Sequence, residues 1–423
     1  MDQGNTTFVL FAAALVLLMT PGLAFFYGGL VKAKSVISMM MMSFGAIGLI
    51  GVLWAIYGYA IAFANNVGID GWFGIDTSNI LLAGLVDEAA EPTGGFPLIA
   101  FAAFQATFAI ITVALISGAI ADRAKFGAWM IFAGVWATLV YFPVASWVFN
   151  FTLGEDGSFV DGGWITYGLQ ETFGVGTIDF AGGTAVHINA GAAALALAIV
   201  LGKRVGFAKG AHVPHNPPFV LLGAGLLWFG WFGFNAGSEL AADGVAAVAF
   251  MNTIIAPAAA LLAWLVVEKI RDGKPTSVGA ASGAVAGLVA ITPACASLTP
   301  GYAILLGIVA GVICALAIDL KFKLGFDDSL DVVGIHLVGG LVGTLFLGFF
   351  ANGTGLVYSG SGAQLLVQAI AAFSVMIYSF VLAFLIGFAI EKTIGFRVKN
   401  EDEIAGIDTV VHGEEGYILA DTK

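Results

Sequence analysis

Two histidines carry most of the chemistry this sequence can offer. His187 stands in Asp179-Phe-Ala-Gly-Gly-Thr-Ala-Val-His187-Ile-Asn-Ala-Gly191, a run of small and apolar residues that continues to Val200. His336 stands in Asp331-Val-Val-Gly-Ile-His336-Leu-Val-Gly-Gly340. Apolar runs of this length read as membrane-spanning helices, and an ionisable side chain inside one is costly enough to mark a pathway or a site. Burial keeps such imidazoles neutral, each with one donor and one acceptor nitrogen. Two neutral rings can share a hydrogen bond and offer polar contacts to a small neutral molecule, or relay a proton. The plain alternative is two core histidines satisfied by helix carbonyls. A metal site is the weaker reading, because two imidazoles are too few and no nearby Cys, Asp or Glu completes a ligand set.

Composition dictates the surroundings. Of 423 residues, 59% are hydrophobic and only 10% charged, with mean hydropathy +0.97, so lipid must solvate most of the chain. Cys295 and Cys314 both lie in apolar sequence and suggest neither a disulfide framework nor a zinc site. Spans are expected at 6–30, 36–64, 97–120, 127–150, 180–201, 218–237, 245–267, 277–297, 301–320, 332–351 and 364–391. The architecture is an all-α integral membrane protein with eleven transmembrane helices. Residues 1–391 form the membrane domain and 392–423 a cytoplasmic tail.

Charge orients those spans. With the N-terminus outside, Lys32, Lys34, Arg123, Lys125, Lys203, Arg204, Lys209, Lys269, Arg271, Lys274, Lys321, Lys323, Lys392, Arg397, Lys399 and Lys423 all face the cytoplasm. These are all 16 bases of the chain, as the positive-inside rule requires. The first span carries no base in front of it and reads as a retained helix rather than a cleaved signal. Outer loops carry acids, among them Asp70, Asp76, Asp87, Glu88, Glu91, Glu155, Asp156 and Asp161. Ordinary solvation explains them, and concentration of cations at a mouth is the functional alternative.

An odd span count permits an inverted repeat of spans 1–5 and 6–10, with span 11 added. His187 and His336 then occupy equivalent places in the two halves, which argues against two incidental core histidines. Inverted repeats place transport sites where the halves meet. The 58 glycines fit close helix packing, for example at Gly283/Gly287 and Gly307/Gly311.

Several stretches also match a known family in its order: Pro21-Gly-Leu-Ala-Phe-Phe-Tyr-Gly-Gly29, the segment ending at His187, Trp231-Phe-Gly-Phe-Asn-Ala-Gly-Ser238, Thr292-Pro-Ala-Cys295, the segment ending at His336, and Gly406-Ile-Asp-Thr-Val-Val-His-Gly413. From first span to tail the chain resembles the ammonium transporters of the Amt/Mep/Rh superfamily, on the Amt side. The resemblance implies a homotrimer in a prokaryotic plasma membrane, each protomer with its own pore. It implies an outer recruitment site from Phe108, Phe149, Trp231 and Ser238, supported by Asp179. Phe108 and Phe234 would stack as a gate, and His187 and His336 would line the pore. It also implies a tail that packs on a neighbouring protomer's loops and is read by a PII-type signalling protein. Neither a cofactor nor a nucleic-acid partner is expected.

Physical chemistry gives these residues plainer roles as well. Asp179 directly precedes a helix and is first of all an N-cap. Phe108 and Phe234 are two of 35 phenylalanines, and Trp231 suits a membrane-interface belt. An aromatic face attracts a small cation by about 0.5–2 kcal/mol, and a serine hydroxyl can accept an ammonium N–H. Neither separates ammonium from potassium. An apolar lumen does, because ammonium can leave its proton behind and potassium cannot. One departure stands out: the family stretch close to Ala-His-Trp-Val-Trp reads Ala145-Ser-Trp-Val-Phe149 here, so the indole N–H is gone. Trp147, two residues away, faces another side of the helix. A sensor using the same pore would be expected to bring a signalling domain, and a membrane enzyme would need a nucleophile or metal set not found here.

Overall fold

A computed structural model describes residues 1–64, 68–69, 71–86, 95–154, 159–207 and 213–417. The expected outer acids Asp70, Asp87, Glu88, Glu91, Glu155 and Asp156, and the bases Lys209 and Lys423, lie outside the described residues. Without water to pair with, backbone crossing a bilayer must bond within itself, and helices are the local solution. Ten helices among the described residues are long and apolar enough to cross: Gln3–Leu30, Ala33–Ala62, Leu98–Ile120, Phe126–Phe149, Gly183–Leu201, Pro217–Glu239, Gly244–Arg271, Pro300–Leu324, Val333–Phe350 and Ala363–Thr393. The shorter apolar helix Ser277–Ile291 stands eighth in chain order and brings the set to the expected eleven.

Helix starts follow capping chemistry. The Asp2, Asn216, Asp243 and Thr276 side chains accept backbone N–H groups at the starts of the first, sixth, seventh and eighth helices. Several boundaries differ from expectation by a few residues, and two of them have a clear local cause. The eighth helix stops at Ile291 rather than 297, since Pro293 has no N–H to extend it and the chain turns through Ala294–Ser297. The fifth begins at Gly183 rather than 180, because Asp179 caps it and the left-handed Gly182 turns the chain just before it.

Packing reflects the two halves. The first and sixth helices, the first of each half, run against one another over most of their length. The lead-in of each histidine helix packs on the other histidine helix. Gly307 and Gly311 meet the backbone of Ala256 and Ala260 on the seventh helix, as the small-residue spacing implied.

The two ends of the molecule differ. At one end Asp2 N–H donates to Gly95 O (2.6 Å), and Ala242 N–H donates to the Asn5 side chain (3.0 Å). At the other the loops meet the tail. Arg204 reaches Asp122 (3.0 Å) and Asp327 (2.9 Å), all three side chains at least nine-tenths buried. Burial alone would raise the Asp327 carboxyl, yet the hydrogen bonds and charge of Arg204 hold it below the ordinary carboxylate range.

The tail docks on the loops of its own chain. Lys125 N–H donates to Phe396 O and Val398 N–H to Arg123 O, both at 2.9 Å, so the tail adds to the loop edge as a short strand would. The Glu403 carboxylate accepts from Val205 N–H (2.7 Å) and Arg397 (2.8 Å). Asp408 accepts from Ile37 and Ser38 N–H (3.0 and 2.8 Å), and Lys34 Nζ donates to Ile404 O. The two acids thus answer backbone N–H groups, those of Ile37 and Ser38 being orphan donors of a helix start.

The bases at the tail end predict orientation. In cells expressing a Gln3→Cys variant, a membrane-impermeant thiol reagent should label from outside, since both native cysteines are buried. Labelling only from the cytoplasmic side would overturn this.

Candidate functional site

Each histidine sits in a π-helical turn: His187 in Gly183–Ile188 and His336 in Val333–Leu337. Such turns carry one extra residue per turn and are frequent at functional sites. The cap that starts each turn lies eight residues before its histidine (187 − 179 and 336 − 328). Asp179 accepts the N–H groups of Gly182 (3.0 Å), Gly183 (2.5 Å), Thr184 (2.9 Å) and Ala185 (3.0 Å). Asp328 accepts those of Val332 (3.1 Å) and Val333 (2.7 Å). The structural reading of Asp179 as a cap therefore holds, with all four orphan donors of a helix start gathered on one carboxylate. Asp328 is its counterpart at the opposite end of the molecule. Sequence reasoning missed it, although the shared offset of eight residues was there to find.

The helices cross just beyond the rings. A Cβ on Gly191 would lie 2.5 Å from Leu337 N, and one on Gly340 would lie 3.0–3.2 Å from Ile188, Gly183 O and His187. Both glycines stand four residues after their histidine (191 − 187 and 340 − 336), so each helix presents its bare face to the other's ring-bearing turn.

That crossing brings the rings together. His187 Nδ1 and His336 Nδ1 are 3.2 Å apart, with ring centroids at 5.3 Å, and both residues are buried. Two nitrogens at hydrogen-bond distance hold one hydrogen between them, so one ring must be the Nδ1–H tautomer and the other the Nε2–H tautomer. Whichever way round, the pair leaves one Nε2 as an acceptor and one as a donor. His187 Nε2 has no partner among the described residues.

The pair faces a narrow cavity between the two halves. Its other walls are apolar, including Leu23, Phe26, Ile111, Leu115, Leu227 and Val285. Trp231 and Phe234 close it on one side. The Trp231 ring stacks on His187 (5.5 Å), and its indole N–H donates to Thr292 Oγ1 (2.8 Å).

Here one expectation is corrected. Trp231, expected at the outer site, lies on the histidine side of Phe234 with only 2% of its surface exposed. The cause is its place one turn deeper than Phe234 on the sixth helix, while Ser238 is one turn further out.

Phe108 and Phe234 are stacked, with centroids 4.1 Å apart and planes 23° from parallel. Phe149 meets Phe108 edge-on at 6.3 Å and is only partly buried. Ser238 is also partly exposed, and its hydroxyl donates to Phe234 O (2.8 Å). Its lone pairs stay available for a donor from outside. Trp147 points elsewhere: its N–H donates to Trp72 O (2.5 Å) and its ring packs on Tyr378 and Trp164.

An eleven-helix inverted pair of halves around a buried polar pair, behind stacked aromatics, is the build of a membrane transport protein. A family model described as the Ammonium Transporter Family matches residues 7–417, and the chain belongs to that family. It is 55% identical to an ammonium transporter of Mycobacterium tuberculosis, over 99% of this chain and 91% of that one. It superimposes on the crystal structure of Candida albicans Mep2 with TM-score 0.84 and 31% identity, covering 95% of this chain and 88% of that one. A solved sensor Amt protein fits with TM-score 0.85 at 28% identity, over 96% and 98% of the two chains.

The cap makes a stability prediction. Asp179→Ala strands four buried N–H groups and should cost more than the ~1–2 kcal/mol of an ordinary cap, lowering the Tm of the detergent-purified protein. Asp179→Asn, which keeps one acceptor oxygen, should fall between. Equal melting of all three proteins would contradict the role.

Proposed function

We propose that the protein carries ammonium into the cell by separating it from its proton. Ammonium gathers at the outer aromatic surface of Phe108 and Phe149, where the Ser238 hydroxyl accepts one N–H. The stacked Phe108 and Phe234 rings must part for it to pass, and behind them lies an apolar cavity that disfavours a bare cation. Ammonia, with three donors and one lone pair, matches a pair that always shows one donor and one acceptor nitrogen. The proton either stays outside or crosses by way of the linked rings. The observation that carries this reading is the 3.2 Å Nδ1–Nδ1 contact inside an otherwise apolar cavity. Asp179 acts through the helix it caps, and Trp231 by holding His187 in place, rather than by recruiting substrate.

We further infer a homotrimer in a prokaryotic plasma membrane, N-terminus outside. A PII-type protein would read the tail and loops at the cytoplasmic end. Family membership supports both, as does a tail whose acids are already engaged with loop groups.

Replacing either histidine by Ala removes the matched donor and acceptor and leaves room for water. His187→Ala and His336→Ala should each cut ammonium flux in liposomes or admit potassium. Unchanged flux and selectivity in both would sink the proposal.

Phe149 offers a cation a phenyl face, a weaker partner than indole, and no N–H. Phe149→Trp should therefore raise apparent affinity for methylammonium by a few-fold up to about tenfold, as ~1.4 kcal/mol gives. Selectivity over sodium should not change. Equal or weaker affinity in side-by-side uptake would remove Phe149 from the recruitment site.

Native mass spectrometry should read a trimer that gains PII, and deleting 396–423 should abolish that gain. A monomer, or a truncated protein that still binds PII, would refute the assembly.

A further inference from the structure

Beside the outer mouth, away from the histidine cavity, lies a recess of about 390 Å³, counting the part open to solvent. It is built where the loop after the second helix meets the outer end of the fourth helix and the hairpin Phe151–Leu153/Phe159–Gly162. Trp72 and Phe151 give it aromatic walls, and Ser146, Asn150, Thr152 and Asp161 line it with polar groups.

Ser146 is 6% exposed, yet its hydroxyl has no hydrogen-bond partner among the described residues although it borders the recess. The Asn150 side-chain amide, four residues on and so on the same helix face, is likewise unbonded. One Asp161 oxygen accepts Gly162 N–H (2.8 Å), and no described group occupies the other. Among the described residues these groups border the recess and do not pair with one another, so they can meet a ligand that brings N–H donors.

The backbone and rings beside the recess are tightly packed. Gly163 packs so tightly under the outer end of the fourth helix that a Cβ there would lie 2.3 Å from Ser146 O and 2.4 Å from Trp147 O. Trp72 is fixed from behind by the Trp164 ring, stacked at 4.7 Å and 6° from parallel.

We propose that this recess is a second binding site for small amine cations, ammonium and methylammonium among them. The lining supplies a carboxylate, hydroxyl and amide oxygens and an aromatic face, which together answer a compact cation with several N–H donors. Among the described residues no Lys or Arg lines the recess to attract an anion. Asn150, which borders the recess, directly follows Phe149 of the aromatic mouth in the chain. The site raises the local substrate concentration where the phenyl of Phe149 recruits weakly. This inference rests on the reading of the chain as an ammonium transporter.

The test pairs binding with transport. Equilibrium binding of radiolabelled methylammonium to the detergent-purified full chain is measured beside uptake into liposomes. Asp161→Asn keeps the acceptor for Gly162 N–H and removes the charge, and Ser146→Ala removes the hydroxyl and keeps the space. Asp161→Asn should lose one bound methylammonium per protomer and raise KM about two- to fivefold, with maximal flux unchanged. Ser146→Ala should move KM the same way by less. Wild-type stoichiometry and KM in Asp161→Asn would overturn the site, whatever the flux. Wild-type protein that binds methylammonium in an Asp161-dependent way and moves none would keep the recess and refute transport.

Discussion

One shared hydrogen between His187 Nδ1 and His336 Nδ1 constrains much of what surrounds it. For two rings to lie 3.2 Å apart, two helices of opposite direction must cross at bare backbone, and Gly191 and Gly340 provide that crossing. For each ring to aim inward, its helix takes a π turn just there, held by a capping aspartate eight residues earlier. Buried polar groups stay costly unless paired, so the pair and the apolar walls around it belong to one design. Remove the pairing and the cavity holds two unsatisfied imidazoles. The inverted repeat is the economical way to produce it, because one crossing element used twice meets itself in reverse.

Much of this was legible in the sequence. Spacing alone located the spans, since backbone in lipid has few alternatives. The histidines stood out because an ionisable group in an apolar run is expensive. Asp179 read correctly as a cap from its position before the helix. What failed depended on depth along a helix. Trp231, Phe234 and Ser238 are spaced three and four apart and share a face, so pattern could not say that Trp231 lies inward of the stacked rings. Asp328 was passed over because Asp331, closer to His336, drew attention, whereas Lys321 is the partner of Asp331.

The tail shows a different limit. Nothing in the spacing of its acids names their partners. In the fold they meet backbone N–H groups and a guanidinium of the same chain: Asp408 on the start of the second helix, Glu403 on Val205 and Arg397. Loop ends and tail thus share one buried network that includes Arg204 and Asp327, next in sequence to the cap of the His336 helix. Charge composition cannot reveal such pairings, because they depend on which loop ends converge.

The central claim is that ammonium loses its proton before the cavity and that the cavity rejects what cannot lose one. Purified protein in liposomes loaded with a pH dye, given an inward ammonium gradient and then an equal potassium gradient, tests it directly. The account predicts a rapid change of internal pH with ammonium, far above that of protein-free vesicles, and no protein-dependent current with potassium. Equal currents for the two ions would contradict it.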